Sequence, residues 1–254
     1  MQESIHPLWG QVAVVTGGAG GLGSIICHTL AMAGASVVIG YNSSAEAAQR
    51  LAETMPKAQQ PHLALPAPVT DSTALAELAR LIRLKLGRCD ILINNAGTTR
   101  YVEHADLDSL DDALIDHILT TNVRGSIAMV RALRPLLEES GNGLVVNISS
   151  IAAKTAMGSN IAYCASKAAL DNLTQSLARA LAPQIRVNSV APGLADTEFV
   201  AGLDSSWRND QAARTPLGRL AQPQEVADAV LALATALRFT TGAIIPVDGG
   251  RPLS

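Results

Sequence analysis

Short apolar runs alternate with amphipathic stretches along the whole chain. Gln11–Thr16 (QVAVVT), Ser36–Gly40 (SVVIG), Ile91–Asn94, Gly143–Ser149, Arg186–Ala191 and Ala243–Val247 are rich in Val and Ile, the pattern of strands buried on both faces. Leu63–Ala67 reads as another strand, weakened by the prolines around it. Between the runs, helical spacing covers about Leu22–Ala33, Ala45–Glu53, Ser72–Leu86, Ala162–Leu181 and Gln222–Thr235. Leu75, Leu78, Ala79 and Ile82 illustrate it, sharing one helix face. A longer helical stretch runs from about Ser109 to Glu139, broken near Asn122. Gly34 sits where a C-cap would end the first helix, and Pro56 stops the second. Ala195–Arg214 lacks clear periodicity and reads as a mobile lobe.

Strand and helix therefore alternate throughout, and each connection is long enough for a crossover. That order predicts an α/β fold: a doubly wound parallel sheet with helices on both faces. No linker or internal repeat divides the chain, so residues 1–254 read as one domain. Composition sharpens this picture. Hydrophobic residues make up 48% and aromatics only 3%, so the core must be built from Ala, Val, Ile and Leu. The net charge of −3 gives no electrostatic reason to expect nucleic acid as a partner. Cys27, Cys89 and Cys164 lie far apart, and His6, His28, His62, His104 and His117 form no cluster, so no metal site or disulfide framework is expected. Met1–Trp9 carries no secretory pattern, and no apolar run approaches the roughly 18 residues of a membrane span. The expectation is a cytoplasmic protein without membrane contact.

The first strand runs into Gly17-Gly18-Ala19-Gly20-Gly21-Leu22-Gly23 and then a helix. A turn without side chains lets backbone N–H groups approach a pyrophosphate, facing the positive end of the helix dipole. The loop fits GxGxxG from Gly18, Gly20 and Gly23, and TGxxxGxG from Thr16, Gly17, Gly21 and Gly23. Alone it indicates a dinucleotide site, not an enzyme. An NAD site usually has an acid at the end of the second strand. Here Gly40-Tyr41-Asn42-Ser43-Ser44 offers no carboxylate to repel a 2′-phosphate and no arginine to attract one. Hydroxyl and amide groups there favour NADP(H), with NAD(H) as the other reading.

Tyr163 and Lys167 stand at i and i+4 on one helix face. A nearby ammonium favours the phenolate, and bringing tyrosine from near 10 to neutrality takes roughly 4 kcal/mol. The pair alone reads more readily as an ordinary solvated amphipathic face.

Taken together, the segments resemble the short-chain dehydrogenase/reductase family in its compact branch, close to 3-oxoacyl-acyl-carrier-protein reductases. The resemblance rests on Thr16–Gly23, Asn94-Asn95-Ala96-Gly97, Asn122, Asn147-Ile148-Ser149-Ser150, Tyr163 with Lys167, Pro192-Gly193 and Val247-Asp248-Gly249-Gly250. It implies a Rossmann-type fold and a hydride transfer between a nicotinamide cofactor and a ketone or secondary alcohol. It implies Tyr163 as general acid or base, and Lys167 lowering its pKa and binding the nicotinamide ribose. Ser150, 13 positions before the tyrosine, would orient the substrate oxygen, while Ser149 would be structural. Asn122 would break its helix and hold a relay water. Gly17, Gly20, Gly21, Leu22 and Gly23 would bind the pyrophosphate. Asn95, Ala96 and Gly97 would line the adenosine side, and Pro192, Gly193 and Thr197 would cover the nicotinamide. Tyr41, Asn42 and Ser43 resemble the strand-two ending of some NADPH-using relatives.

Two positions depart from the pattern. Pro68 stands where many members have an adenine-contacting aspartate, which leaves adenine to Val69 packing and backbone contacts, with Asp71 three places on. Gly20 stands where NADP-using members often carry a basic residue. Residues 194–216 would form the substrate lid, with Phe199, Leu203 and Trp207 as its bulky members. Arg100, Arg124 and Arg131 read as solvated surface more readily than as carrier-protein contacts, and Cys164 as packing. The resemblance also implies a homo-oligomer, commonly a tetramer. An inactive cofactor-binding sensor or scaffold is the competing reading, disfavoured because both Tyr163 and Lys167 are intact; an epimerase or dehydratase is weaker still.

Overall fold

The computed structural model describes residues 6–197 and 204–253. Seven strands form one parallel sheet in the order β3-β2-β1-β4-β5-β6-β7. They are β1 (Val12–Thr16), β2 (Ser36–Tyr41), β3 (Leu63–Pro66), β4 (Ile91–Asn94), β5 (Gly143–Ile148), β6 (Ile185–Pro192) and β7 (Ile244–Val247). The crossovers carry α1 (Gly21–Met32), α2 (Ala45–Thr54), α3 (Ser72–Leu86), α4 (Asp112–Leu119), α5 (Gly125–Glu139), α6 (Ala152–Thr155), α7 (Ile161–Leu181), α8 (Ser205–Ala213) and α9 (Pro223–Thr235).

The pleat splits the core into two layers. Ala13 and Val15 of β1 face Ile26 and Leu30 of α1 and Val226, Val230 and Leu233 of α9. Val12 and Val14 face the other way, towards Leu75, Leu78 and Ile82 of α3 and Met129, Leu133 and Leu136 of α5. All five residues of β1 are buried, which is why its sequence is a continuous apolar run. Asp90 is the buried exception. Its carboxylate accepts from Val12 N (2.8 Å) and pairs with Arg88 (2.6 Å), so β1 and β4 are tied at their starts.

The strand order reverses between β1 and β4, where the connections leave to opposite sides. A crevice opens there at the carboxyl ends of the strands. Two elements differ from the sequence reading. The break expected near Asn122 is a five-residue π-helical turn, Thr120–Arg124, that joins α4 to α5 without ending the helical path. The segment read as an aperiodic mobile lobe contains α8, whose residues include none that are buried. With no apolar stripe facing the core, α8 offers no period to read. Its start is set instead by Asp204, which accepts from Trp207 N. Phe199 and Leu203 lie outside the described residues. No helix among the described residues is long and apolar enough to cross a membrane.

Candidate active site

The glycine loop closes on itself. Gly17 has a φ of +61°, and a Cβ on Gly23 would lie 2.2 Å from the Gly17 carbonyl oxygen. The first turn of α1 therefore rests directly on the loop. Gly20 caps α1 with no side-chain cap, and the first turn holds no acid. Backbone N–H groups and the positive dipole end are thus presented to an anion. Asn95 Nδ2 donates to Thr16 O (2.9 Å) and Gly17 O (3.1 Å), and Thr16 Oγ1 accepts from Asn95 N and Ala96 N (both 3.0 Å). The side chain of Asn95 thus holds the loop's shape. This cradle without side chains fits the pyrophosphate of a dinucleotide.

At the end of β2, Asn42 and Ser43 are exposed, while Tyr41 is half-buried and packs against the core. Val69 is buried against α5: a Cβ on Gly125 would lie 2.8 Å from Val69 Cγ2 and 3.4 Å from its carbonyl oxygen. Asp71 caps α3, accepting from Thr73 N (2.9 Å) and Ala74 N (3.1 Å). Across the crevice, Pro192 ends β6 and Gly193 N donates to Val247 O (2.9 Å). Thr197 lies 3.5 Å from a Cβ built on Gly21, bringing this segment over the glycine loop.

Tyr163 stands in the first turn of α7. Asn160 caps that helix, accepting from Tyr163 N (2.7 Å) and donating to Arg100 O (2.7 Å) and Thr99 Oγ1 (3.2 Å). Ser150, just past β5, hydrogen-bonds Tyr163, and its Oγ accepts from Ala152 N (3.1 Å). One turn along α7, Lys167 is only 6% exposed. Its Nζ donates to Ile148 O (2.8 Å) and sits 5.6 Å from the Tyr163 ring centroid. Asn122 occupies the π-helical turn with its amide fully engaged. Oδ1 accepts from Thr98 N (2.8 Å), and Nδ2 donates to Thr98 O (3.1 Å) and Ser166 Oγ (3.0 Å). Its carbonyl accepts from Ser126 Oγ (3.0 Å). Asn122 therefore clamps the loop after β4 to α7. Gly97 is part of that contact, because a Cβ there would meet Asn122 Oδ1 at 3.4 Å and Lys167 Nζ at 3.8 Å. The four residues the resemblance singled out thus converge at one end of the crevice, beside the glycine loop.

At Tyr163 burial dominates and pushes the phenol up, with the Ser150 hydrogen bond pulling it back. Burial also pulls Lys167 down to about 8, against an upward pull from Asp171. This has a stability consequence. The folded lysine pKa lies below its ordinary 10.5, so folding penalises the charged form fully below pH 8 and ceases to do so as pH rises to 10.5. Lys167→Met is expected to raise stability at pH 7 by about 1–3 kcal/mol, after allowing for the unpaired Ile148 carbonyl. The gain should vanish towards pH 10.5 in urea titrations, and a destabilised variant at pH 7 would contradict it.

The remaining candidates are settled by their surroundings. Ser149 is buried and its Oγ donates to Lys167 O (3.4 Å). Cys164 is buried with its thiol pushed up by desolvation. Arg100 donates to Ser109 O (3.0 Å), Arg124 to Thr70 O (3.0 Å) and Arg131 to Ser72 Oγ (3.1 Å). All three cysteines are free and buried, and no metal-holding cluster exists among the described residues. Trp207 is 42% exposed. Sequence reasoning missed Asn160 and Ser166. An Asn three residues before Tyr163 at a helix start is a capping signal that points to the first. Nothing local marks the second, since its partner Asn122 is distant in sequence.

Residues 17–251 match the family described as Enoyl-(Acyl carrier protein) reductase. The chain is 41% identical over 243 residues to the cis-4-hydroxycyclohexanecarboxylate dehydrogenase of Sinomonas cyclohexanicum, covering 94% of this chain and 96% of that one. It is 34% identical to a 3-oxoacyl-(acyl-carrier-protein) reductase of Thermotoga maritima, covering 96% and 98%. Its fold superposes with a TM-score of 0.88 on the crystal structure of the 3-ketoacyl-(acyl-carrier-protein) reductase of Brucella melitensis complexed with NADH, at 31% identity, covering 96% and 99%.

Proposed function

This chain belongs to the short-chain dehydrogenase/reductase family, and from that membership we propose that it interconverts a small ketone and its secondary alcohol with Tyr163 as proton donor and acceptor. It is an NAD(P)-dependent oxidoreductase. The observation that carries the residue assignment is the convergence of Ser150, Tyr163 and Lys167 beside a glycine cradle. A nicotinamide dinucleotide supplies or accepts the hydride. Gly17, Gly20, Gly21, Leu22 and Gly23 bind its pyrophosphate, Ala96 and Gly97 border it, and Pro192, Gly193 and Thr197 cover the nicotinamide end. Ser150 Oγ orients the substrate oxygen and Tyr163 Oη delivers its proton in reduction. Lys167 holds positive charge beside the phenol as it becomes phenolate. Asn122 keeps the loop after β4 and the lysine in register. In this family such chemistry is mainly positioning and polarisation.

Residues 194–216 close over the substrate as part of a single domain. The substrate is a compact ketone rather than a carrier-bound chain. The relative acting on cis-4-hydroxycyclohexanecarboxylate supports a cyclic compound with a carboxylate. Homo-oligomer formation rests on the edge strand β7, whose Ile244, Ile245 and Val247 are half-buried.

With no acid at Tyr41–Ser44, NADPH is expected to bind at least about tenfold more tightly than NADH, by about 1.4 kcal/mol. Titration of nicotinamide fluorescence checks this, followed by a panel of cyclic ketones and 3-oxoacyl thioesters. Preference for NADH would overturn the cofactor assignment, and turnover confined to the thioesters would overturn the substrate class.

A further inference from the structure

α8 lacks the apolar stripe that anchors most helices. Its positions turned from solvent are Arg208, Gln211 and Ala212, with Thr215 just past its end, at i, i+3, i+4 and i+7. Three of these four are polar, so polar contacts hold the helix to the body. Arg208 Nη2 lies 2.6 Å from Asp196 Oδ1, and each of the two side chains is only 27% exposed. Arg251 Nη2 donates to Gln211 Oε1 at a longer 3.3 Å, and Thr215 Oγ1 donates to Gln211 O (3.0 Å). Arg208 Nε is shielded from solvent with no hydrogen-bond partner, so the guanidinium is fixed at its Asp196 end. Asp196 is itself tied to the body. Its N donates to Ala221 O (2.8 Å), and Ala221 N donates to Leu194 O (3.1 Å), on either side of the parallel bridge between Ala195 and Ala221.

We propose that Asp196 and Arg208 are positioning residues for the cofactor site: their ion pair holds α8 against the segment after β6 and keeps Thr197 over the glycine loop. The proposal rests on the reading of the glycine loop and Thr197 given above, and assigns a role to two residues outside that set. Thr197 follows Asp196 directly. Its N donates to Ala195 O (2.8 Å), and its Cβ lies 3.5 Å from where a Cβ on Gly21, the first residue of α1, would stand. One planar peptide unit fixes consecutive Cα atoms about 3.8 Å apart, so a shift of Asp196 is passed to Thr197. A pair shielded on both sides is screened less than a fully exposed one, which lets it hold this register.

Binding of NADPH, and of NADH in parallel, followed by nicotinamide fluorescence, tests the pair through a double-mutant cycle. Arg208→Met keeps most of the stem and removes the charge, and Asp196→Ala removes its partner. Each single variant is expected to bind the dinucleotide about fivefold more weakly, and the double variant no more weakly than either. Arg208 meets Asp196 through Nη2 alone, so Arg208→Lys should stay within about twofold of the parent protein. In the cofactor-free protein, amide exchange over Ser205–Ala213 should quicken in the uncharged variants, while the melting temperature stays within about 2 °C. Unchanged affinity in Arg208→Met would overturn the proposal, as would additive losses in the double variant. A melting temperature that falls in step with affinity would overturn it too, marking a merely structural role. If the parent protein bound neither dinucleotide, the reading of the glycine loop would fail, whereas amide exchange of α8 would still report the ion pair, so the two failures are distinguishable.

Discussion

Tyr163→Phe is expected to fold and bind nicotinamide cofactor like the parent protein, and to lose ketone reduction by about a thousandfold or more. The ring stays, so the packing around the first turn of α7 is kept, and the Asn160 cap acts on the backbone N of residue 163, which the substitution does not touch. Only the phenolic oxygen is removed, and with it the hydrogen bond to Ser150. A positioned proton donor contributes typically 10²–10⁴ in rate. Here burial raises the phenol pKa, so the residue carries its proton at neutral pH. The decisive comparison is steady-state turnover against NADPH affinity and melting temperature. Loss of all three would indicate a folding defect, and retained turnover would remove Tyr163 from the mechanism.

Gly23→Ala should have the next largest effect, and for a different reason. Within a helix, alanine is favoured over glycine by about 1 kcal/mol. At this position the added Cβ would meet Gly17 O at 2.2 Å, Asn95 Nδ2 at 2.8 Å and Gly18 Cα at 2.9 Å. Two of these are backbone atoms and cannot swing away. Overpacking of this kind costs about 1–3 kcal/mol, so it outweighs the propensity gain. The strain falls on the loop that must meet the pyrophosphate. NADPH affinity is expected to drop by at least about thirtyfold, roughly 2 kcal/mol, together with a lower melting temperature. Fluorescence titration tests it. Unchanged affinity would show that the loop shape is not what binds the dinucleotide.

Much of this was legible along the chain. The buried strands announce themselves because parallel strands covered on both faces carry continuous Val and Ile runs, as in Val12–Thr16. The glycine loop is legible because its function requires absence of side chains at positions fixed by a local strand-turn-helix unit. Tyr163 and Lys167 fall on one helix face by periodicity, but it is the resemblance carried by the surrounding motifs that makes them stand out. α8 was not legible, since it buries no residue and leaves no apolar period. Asn160 and Ser166 escaped because their importance lies in partners distant in sequence.

The sequence by itself therefore determined the doubly wound α/β order and the strand–glycine turn–helix unit at its start, which depend on neighbours a few residues apart, and through the family resemblance it singled out the side chains proposed to react. The tertiary structure alone decided their environment. It turned Val69 towards α5, gave the Asn95 side chain to the loop, and buried Lys167 until its pKa fell to about 8. Desolvation and charge depend on what covers a group in three dimensions, and contacts between strands and helices far apart in the chain have no local pattern to betray them.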